Sequence, residues 1–252
     1  MVGVLLLPIS DVHIGRDASG MDEESLDRRF SRYLNDVLEF VKILNKPVDE
    51  VNVMLLGDIV DGEEVYRGHG YELLYNIDEQ IDIALYLFDK MYTFLSSVSG
   101  NIKFHCVPGN HGISNRRGKG NWDYMLCVAL ARTLPVVNYK DEEIATFEAG
   151  GYNIAMYHGH GIRMYMNIPW YGIDRRIVRW GYMKRFDMVF MGHFHTFGKM
   201  QVMDKTVYLN GTMLGDDPWS RVRLGGLPAT RWWSIFITDG RIIETGVKLD
   251  WD

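Results

Sequence analysis

Five short clusters in this chain carry side chains of the kind that hold divalent metal ions: Asp11-Val12-His13, Gly57-Asp58-Ile59-Val60-Asp61, Pro108-Gly109-Asn110-His111, His158-Gly159-His160 and Gly192-His193-Phe194-His195. Carboxylate, imidazole and amide oxygen together suit ions such as Mn, Fe, Zn or Ni, whereas a pure thiolate set would point to structural zinc. Two such ions about 3.5 to 4 Å apart can clamp the attacking and leaving oxygens of a phosphoryl displacement and lower the pKa of a water between them. The chemistry expected of the set is hydrolysis of phosphate esters. Taken singly, an Asp-X-His loop is usually surface decoration and a Gly-Asp pair only a turn. Their succession is the signal, because four of the five clusters directly follow an apolar run.

Those runs are the elements that must position the clusters. Val2 to Leu7, Val51 to Leu56, Ile102 to Val107, Asn153 to Tyr157 and Met188 to Met191 read as buried strands. In an open α/β sheet the carboxyl ends of the strands form the ligand crevice, so five segments distant in sequence are expected to converge on one edge. Between the early strands, Leu26, Phe30, Tyr33, Leu34, Val37, Leu38, Val41 and Leu44 recur at helical spacing until Asn45-Lys46-Pro47. The segment from Tyr71 to Val98 predicts one long helix or two shorter ones, and Trp122 to Arg132 another. This alternation predicts a layered α/β sheet with largely parallel strands. The second half is richer in strands, at Glu143 to Glu148, Lys199 to Met203, Thr206 to Leu209, Trp233 to Thr238 and Arg241 to Lys248, with hairpin turns at Asp204-Lys205 and Asp239-Gly240 and a helix from about Tyr171 to Arg185.

The composition sets outer bounds. With 252 residues, 47% hydrophobic and 24% charged, the chain is an ordinary globular protein, and disorder, collagen and coiled coil are excluded. We read residues 1–252 as a single catalytic domain in which 210–252 is a loop and hairpin, at most a small cap. Cys106 and Cys127 are too few for a disulfide framework and form no CxxC pair, so a reducing, cytoplasmic compartment is expected, with Cys106 a small core residue. The run Val2 to Ile9 lacks a preceding basic residue and ends at Asp11, which favours a strand over a secretory signal. No stretch approaches the roughly 20 apolar residues of a membrane span. The net charge of -6 is matched by the segment from Asp61 to Asp82 alone, which holds seven acids against Arg67.

The series Asp11-X-His13, Gly57-Asp58-X-X-Asp61, Gly109-Asn110-His111, His158 and Gly192-His193-X-His195 resembles the calcineurin-like metallophosphoesterase signature, in full order and across most of the chain. The resemblance implies a four-layer α/β/β/α sandwich of two mixed β-sheets flanked by helices. It implies two divalent metal ions, Mn foremost with Fe, Zn, Ni and Mg open. Asp11, His13 and His195 would hold one ion, Asn110, His158 and His193 the other, and Asp58 would bridge both. His111 would be the catalytic histidine oriented by Asp61, with a hydroxide between the ions as nucleophile. His160 competes with His158 for one ligand role; His158 is preferred because it follows the strand directly. His69 and His105 are read as structural or exposed. Many members of the family carry Asp or Glu after the Asn-His pair, where this chain has Gly112, so another residue must fix the loop, and Asp61 is the candidate.

The substrate is read from what flanks the clusters. Gly161 to Asp187 carries Arg163, Arg175, Arg176, Arg179, Lys184 and Arg185 against Asp174 and Asp187, interleaved with Tyr165, Trp170, Tyr171, Trp180, Tyr182 and Phe186. Basic groups beside stacking faces suit a nucleic-acid path, although a solvated helix with an apolar inner face explains the same pattern. A glycine-rich loop with Arg116, Arg117 and Lys119 follows His111. Arg116, Arg117, Arg175 and Arg176 are thus the candidate substrate-binding residues. Within the superfamily the chain looks closest to phosphodiesterases akin to the SbcD-type DNA-repair nucleases, including compact phage-encoded relatives. The expectation is a DNA nuclease or phosphodiesterase. Its alternatives are a phosphomonoesterase or small cyclic-nucleotide hydrolase and a catalytically silent nucleic-acid-binding protein. Nucleic acid is the expected partner, a membrane is not, and exposed aromatics leave a homodimer open.

Overall fold

The apolar run near the N-terminus forms strand β1 (Val4–Ile9) and sends alternate side chains into two different cores. Leu5, Leu7 and Ile9 pack among helical residues such as Leu26, Phe30 and Phe88, while Val4 and Leu6 pack among Met156, Phe190 and Tyr208. A strand covered on both faces must read as an unbroken hydrophobic segment, and this one does. The computed structural model describes residues 2–18, 21–114, 120–138, 144–166, 168–182, 185–215 and 228–249.

Beyond β1 the elements are α1 (Glu23–Leu44), β2 (Glu50–Leu55), a 3-10 turn (His69–Glu72), α2 (Ile77–Leu95), β3 (Ile102–Cys106), α3 (Trp122–Leu130), β4 (Val136–Asn138), β5 (Ile144–Ala149), β6 (Tyr152–Tyr157), α4 (Trp170–Gly181), β7 (Met188–Met191), β8 (Gly198–Val202), β9 (Lys205–Leu209), β10 (Arg231–Thr238) and β11 (Arg241–Lys248). The first sheet has the order β11-β10-β1-β2-β3-β4, parallel from β1 to β4. The second has the order β5-β6-β7-β9-β8, with a parallel centre of β6, β7 and β9 and antiparallel edges. Helices α1 to α3 cover the first sheet, α4 covers the second, and the sheets face each other through a layer containing Met54, Met156, Phe190 and Ile235. This is the four-layer α/β/β/α sandwich.

Local chemistry sets the element ends. Asp22 caps α1 by accepting from Ser25 N at 3.0 Å, and Asn45 closes the helix in the left-handed conformation. A capping box between Asn76 and Glu79 starts α2, so the periodic stretch from Tyr71 yields one helix preceded by the 3-10 turn. The β8–β9 hairpin turns at Met203-Asp204, one residue before the expected position, because Val202 pairs with Lys205 and Met203 takes φ +55°. Asp239-Gly240 is a turn with both residues at positive φ, as its sequence predicts. Strand β4, three residues long, is too short to carry a pattern.

One expectation is revised by the packing. Cys106 and Cys127 are both buried in the helix-side core, but as a disulfide joining β3 to α3 and not as separate thiols. The packing of α3 brings their Cα atoms to 6.5 Å, a proximity that a 21-residue separation does not announce. The expected C-terminal hairpin is present as β10 and β11, and β10 pairs with β1 to extend the first sheet. Among the described residues no helix is long and apolar enough to cross a membrane.

Candidate metal centre

Parallel strands deliver their carboxyl ends to one edge, and five of them do so here. β1 leads to Asp11 and His13, β2 to Asp58 and Asp61, β3 to Asn110 and His111, β6 to His158, and β7 to His193 and His195. Ligand-type atoms of Asp11, His13 and His195 lie within 4.8 Å of one another, as do those of Asp58, His158 and His193. Asn110 joins the second group, its Oδ1 being 3.1 Å from His158 Nε2. His160 lies beside that group, 5.7 Å ring to ring from His158 and 6.5 Å from His193. The ligand atoms of His13, Asp61 and His111 also converge, but the Asp61 oxygens there are engaged by hydrogen bonds.

The donor set calls for a cation. His158 Nδ1 donates to the Leu56 carbonyl at 2.8 Å, so the ring turns its Nε2 toward Asp58 Oδ2 (2.9 Å) and Asn110 Oδ1 (3.1 Å). His13 Nδ1 donates to Asp61 Oδ1 at 2.7 Å, and its Nε2 faces His195 Nε2 at 3.2 Å. Lone pairs pointed at one another repel unless a proton or metal ion lies between them. Holding the far ring nitrogen on a carboxylate or carbonyl is also how proteins orient metal-binding histidines. The residues present therefore fit divalent metal ions.

Electrostatics agree with this arrangement. Burial opposes charge on Asp58, but His158, His111 and His13 outweigh it and hold the carboxylate well below its ordinary range. Burial likewise disfavours charge on His158, yet Asp58 raises it to about 9, so metal binding there displaces a proton. Asp61 is held down in the same way as Asp58, burial being overcome by bonds from His111, His13 and His69. Burial, with help from His158, pulls His193 down to about 3 and keeps it neutral. His111 is the opposite case: burial disfavours its imidazolium, yet Asp58 and Asp61 raise it to about 9. Its Nδ1 lies 2.8 Å from Asp61 Oδ1, and it lines the cleft in which a phosphate would lie.

The backbone is bent to serve this geometry. Asp11, His13, Asp58, His193 and His195 all sit at φ between 48° and 69°, a conformation that costs a non-glycine residue roughly 1–3 kcal/mol. Side-chain clamps hold it. Asp123 of α3 accepts from the Asp58 and Gly109 amides with Oδ2, each at 2.9 Å, and from the Ile59 amide with Oδ1 at 3.0 Å. Asn121 donates to the Gly109 carbonyl at 2.8 Å and caps α3. Any side chain at Gly112 would meet Asn121 Oδ1 at 2.3 Å, so the acid absent from position 112 has no room there. The loop is fixed by Asp123 and Asn121, while Asp61 orients His111. On the other side Thr212 Oγ1 donates to the Asp11 carbonyl at 2.7 Å, and Asn210 Nδ2 to Pro8 O at 3.0 Å.

Sequence reasoning passed over Asp123, Asn121, Asn210 and Thr212, and left His69 as structural or exposed. His69 is buried, with Nε2 donating to Asp61 Oδ2 at 2.9 Å, so it belongs to the centre's support. Two signals were legible: Asn210-Gly211-Thr212 directly follows an apolar strand, and Asn121-X-Asp123 opens a helix just after the Asn110-His111 loop. His105 lies apart in β3, buried between Asn52 and Phe147.

The candidate substrate residues are less concentrated. Arg175 and Arg176 are exposed on α4, where Ile173 and Ile177 form the buried face. Arg176 donates to the Gly161 carbonyl at 2.8 Å, next to the loop that carries His158 and His160, but neither arginine lines the cleft. Arg116, Arg117 and Lys119 lie outside the described residues, as does Lys184. The cleft, about 280 Å³, is lined by residues of the centre together with Arg16, Val65, Tyr66 and Leu214.

Comparison with known proteins gives three findings. The model of the calcineurin-like phosphoesterase family matches residues 6–197. A stretch of 107 residues, 42% of this chain, is 34% identical to the DNA polymerase II small subunit of Methanothermobacter thermautotrophicus and spans only 20% of that protein. Among solved structures, a predicted phosphoesterase from Streptococcus pneumoniae is 14% identical, with 99% of this chain and 91% of that one covered at a TM-score of 0.47. Vacuolar protein sorting 29 from Cryptosporidium parvum is 15% identical, with 98% and 100% covered at 0.48.

Proposed function

Because the chain belongs to the calcineurin-like phosphoesterase family, we propose that it is a metal-dependent phosphodiesterase acting on DNA. The observation that carries this reading is the pair of ligand groups, Asp11, His13 and His195 beside Asp58, His158 and His193, with Asn110 completing the second. In this reading these residues, Asp58 among them, would hold two divalent ions, Mn foremost. Such ions supply an activated water and neutralise the charge that develops on the phosphoryl group.

The chain's own residues do the rest. His111, steadied by Asp61, donates a proton to the leaving oxygen. No side chain need form a covalent intermediate. DNA is favoured over other diesters by the exposed arginines of α4 beside Tyr171, and by the similarity to a protein named as a DNA polymerase subunit. The narrow cleft and the acids Glu63 and Glu64 on the adjoining loop favour a second reading, a hydrolase of small nucleotides.

A panel of single-stranded DNA, duplex DNA and a small phosphomonoester, assayed in Mn and after chelation, tests the proposal. Chelator-sensitive cleavage of oligonucleotides is expected. Fast monoester turnover with intact oligonucleotides would move the assignment to a phosphatase. Bound metal without turnover of any ester would leave a silent nucleic-acid-binding protein.

A further inference from the structure

The cleft beside the metal centre has a feature that metal chemistry does not require. Tyr66 is 41% exposed, a high value for a large ring, yet its hydroxyl is fully engaged within the protein. It accepts from Arg16 Nη1 at 2.6 Å and donates to Glu72 Oε2 at 2.5 Å. Arg16 itself pairs with Glu72 at 2.9 Å, which ties the loop of Tyr66 to the segment that follows β1. The ring packs against the buried His69, with centroids 4.6 Å apart and planes at 37°. His69 packs on the ring, which is left partly exposed where it lines the cleft. His69 is in turn anchored on Asp61, the residue that orients His111. An exposed aromatic ring is thus held in a set orientation at the cleft, beside the apolar Val65 and Leu214.

A rigid ring with a free face stacks planar groups and is indifferent to their hydrogen-bonding edges. On the premise that the centre hydrolyses phosphodiesters, we propose that Tyr66 is a stacking platform for the nucleobase attached to the phosphate at the metal centre. The site then takes one nucleotide unit, whether a free nucleotide ester or the terminal unit of a single strand, and excludes intact duplex. Two observations point the same way. The cleft is only about 280 Å³, and the adjoining loop carries two acids, Glu63 and Glu64, which disfavour a second polyanionic strand beside the first. An acyl chain would fill an apolar wall equally well but would gain nothing from an immobilised aromatic face.

The test is equilibrium binding by calorimetry to the full chain loaded with Mn, using thymidine 5′-monophosphate and deoxyribose 5-phosphate as probes. Stacking of one base is worth roughly 5- to 150-fold in affinity, so the wild type should prefer the base-bearing probe by at least that lower factor. Tyr66→Ala should bring the ratio of the two affinities close to one, while Tyr66→Phe should keep most of it. Metal content and melting temperature of each variant verify that the fold and centre survive. A wild-type ratio near one, or a ratio that Tyr66→Ala does not change, overturns the platform while leaving the phosphoesterase reading intact. Failure of both phosphates to bind in Mn overturns that reading and the platform with it. Competition by a thymidine homopolymer tighter than by the mononucleotide assigns the platform to strand ends, and the reverse order to free nucleotides. Blunt duplex competing as well as the single strand overturns the proposal.

Discussion

The Asp123 carboxylate holds the backbone amide of Asp58 at 2.9 Å, and the same oxygen holds the amide of Gly109, so one side chain of α3 sets the spacing of two ligand loops. Replacing it tests whether the centre depends on this clamp. Asp123→Asn keeps the shape but offers one acceptor oxygen in place of two, which leaves a backbone donor unmatched. Metal affinity is expected to fall about 10- to 100-fold, the usual penalty for losing a supporting partner. Isothermal titration with Mn provides the check, and an unchanged affinity would show that the loops hold themselves.

His111 and Asp58 are neighbours in space with different expected roles. His111→Ala should retain its metal while turnover drops about 10²- to 10⁴-fold, the range for loss of a general acid. Asp58→Ala removes the carboxylate to which His158 Nε2 points and should lose both ions. Metal analysis of the purified variants separates the two outcomes, and equal metal loss in both would refute the division of roles.

The arginines of α4 offer a graded test of the nucleic-acid path. Ala at both Arg175 and Arg176 should lower the ratio of polymer to small-ester turnover. For each arginine that neutralises a phosphate of a single strand, its replacement should flatten the plot of log affinity against log salt by about 0.7. A parallel loss on both substrates would place these residues in support of the His160 loop, through the Arg176 bond to Gly161, and not on the substrate.

His105 predicts an acid limb of stability that is independent of the centre. Burial, reinforced by Lys103, pulls its pKa from the ordinary 6.5 to about 4. Above pH 6.5 the ring is neutral in both folded and unfolded chains and contributes no dependence on pH. As the pH falls from 6.5 toward 4 only the unfolded chain takes up the proton, so stability declines, by about 3 kcal/mol in total. His105→Gln can keep the bond to Asn52 without titrating. Chemical denaturation at pH 7 and pH 4.5 should show a smaller difference for the variant, and equal differences would remove His105 as a cause.

The contrast between motif and support runs through the whole molecule. The convergence of Asp11, His13, Asp58, Asn110, His111, His158, His193 and His195 on one edge was legible in the chain, because residue types able to hold a metal stand at strand ends and strands announce themselves as apolar runs. The two-sided burial of Val4 to Ile9 was legible for the same reason. Asp123 and His69 were not, since an acid in a helix first turn and a histidine in an acidic loop each have a commoner explanation. Their roles arise from hydrogen bonds spanning 65 and 8 residues, to Asp58 and Asp61 respectively.

The cysteine pair and the C-terminal hairpin belong to the same class, as does the cleft wall. Whether Cys106 meets Cys127, whether β10 caps the centre or extends the sheet, and how much of Tyr66 stays open depend on how layers pack. The sequence by itself determined the candidate ligand set and the order of the elements, because both are written in residue type and local periodicity. Only the tertiary structure decided which polar groups hold the strained loops of the candidate centre and what lines the cleft beside them. Those interactions join segments far apart in the chain, and no local pattern encodes them.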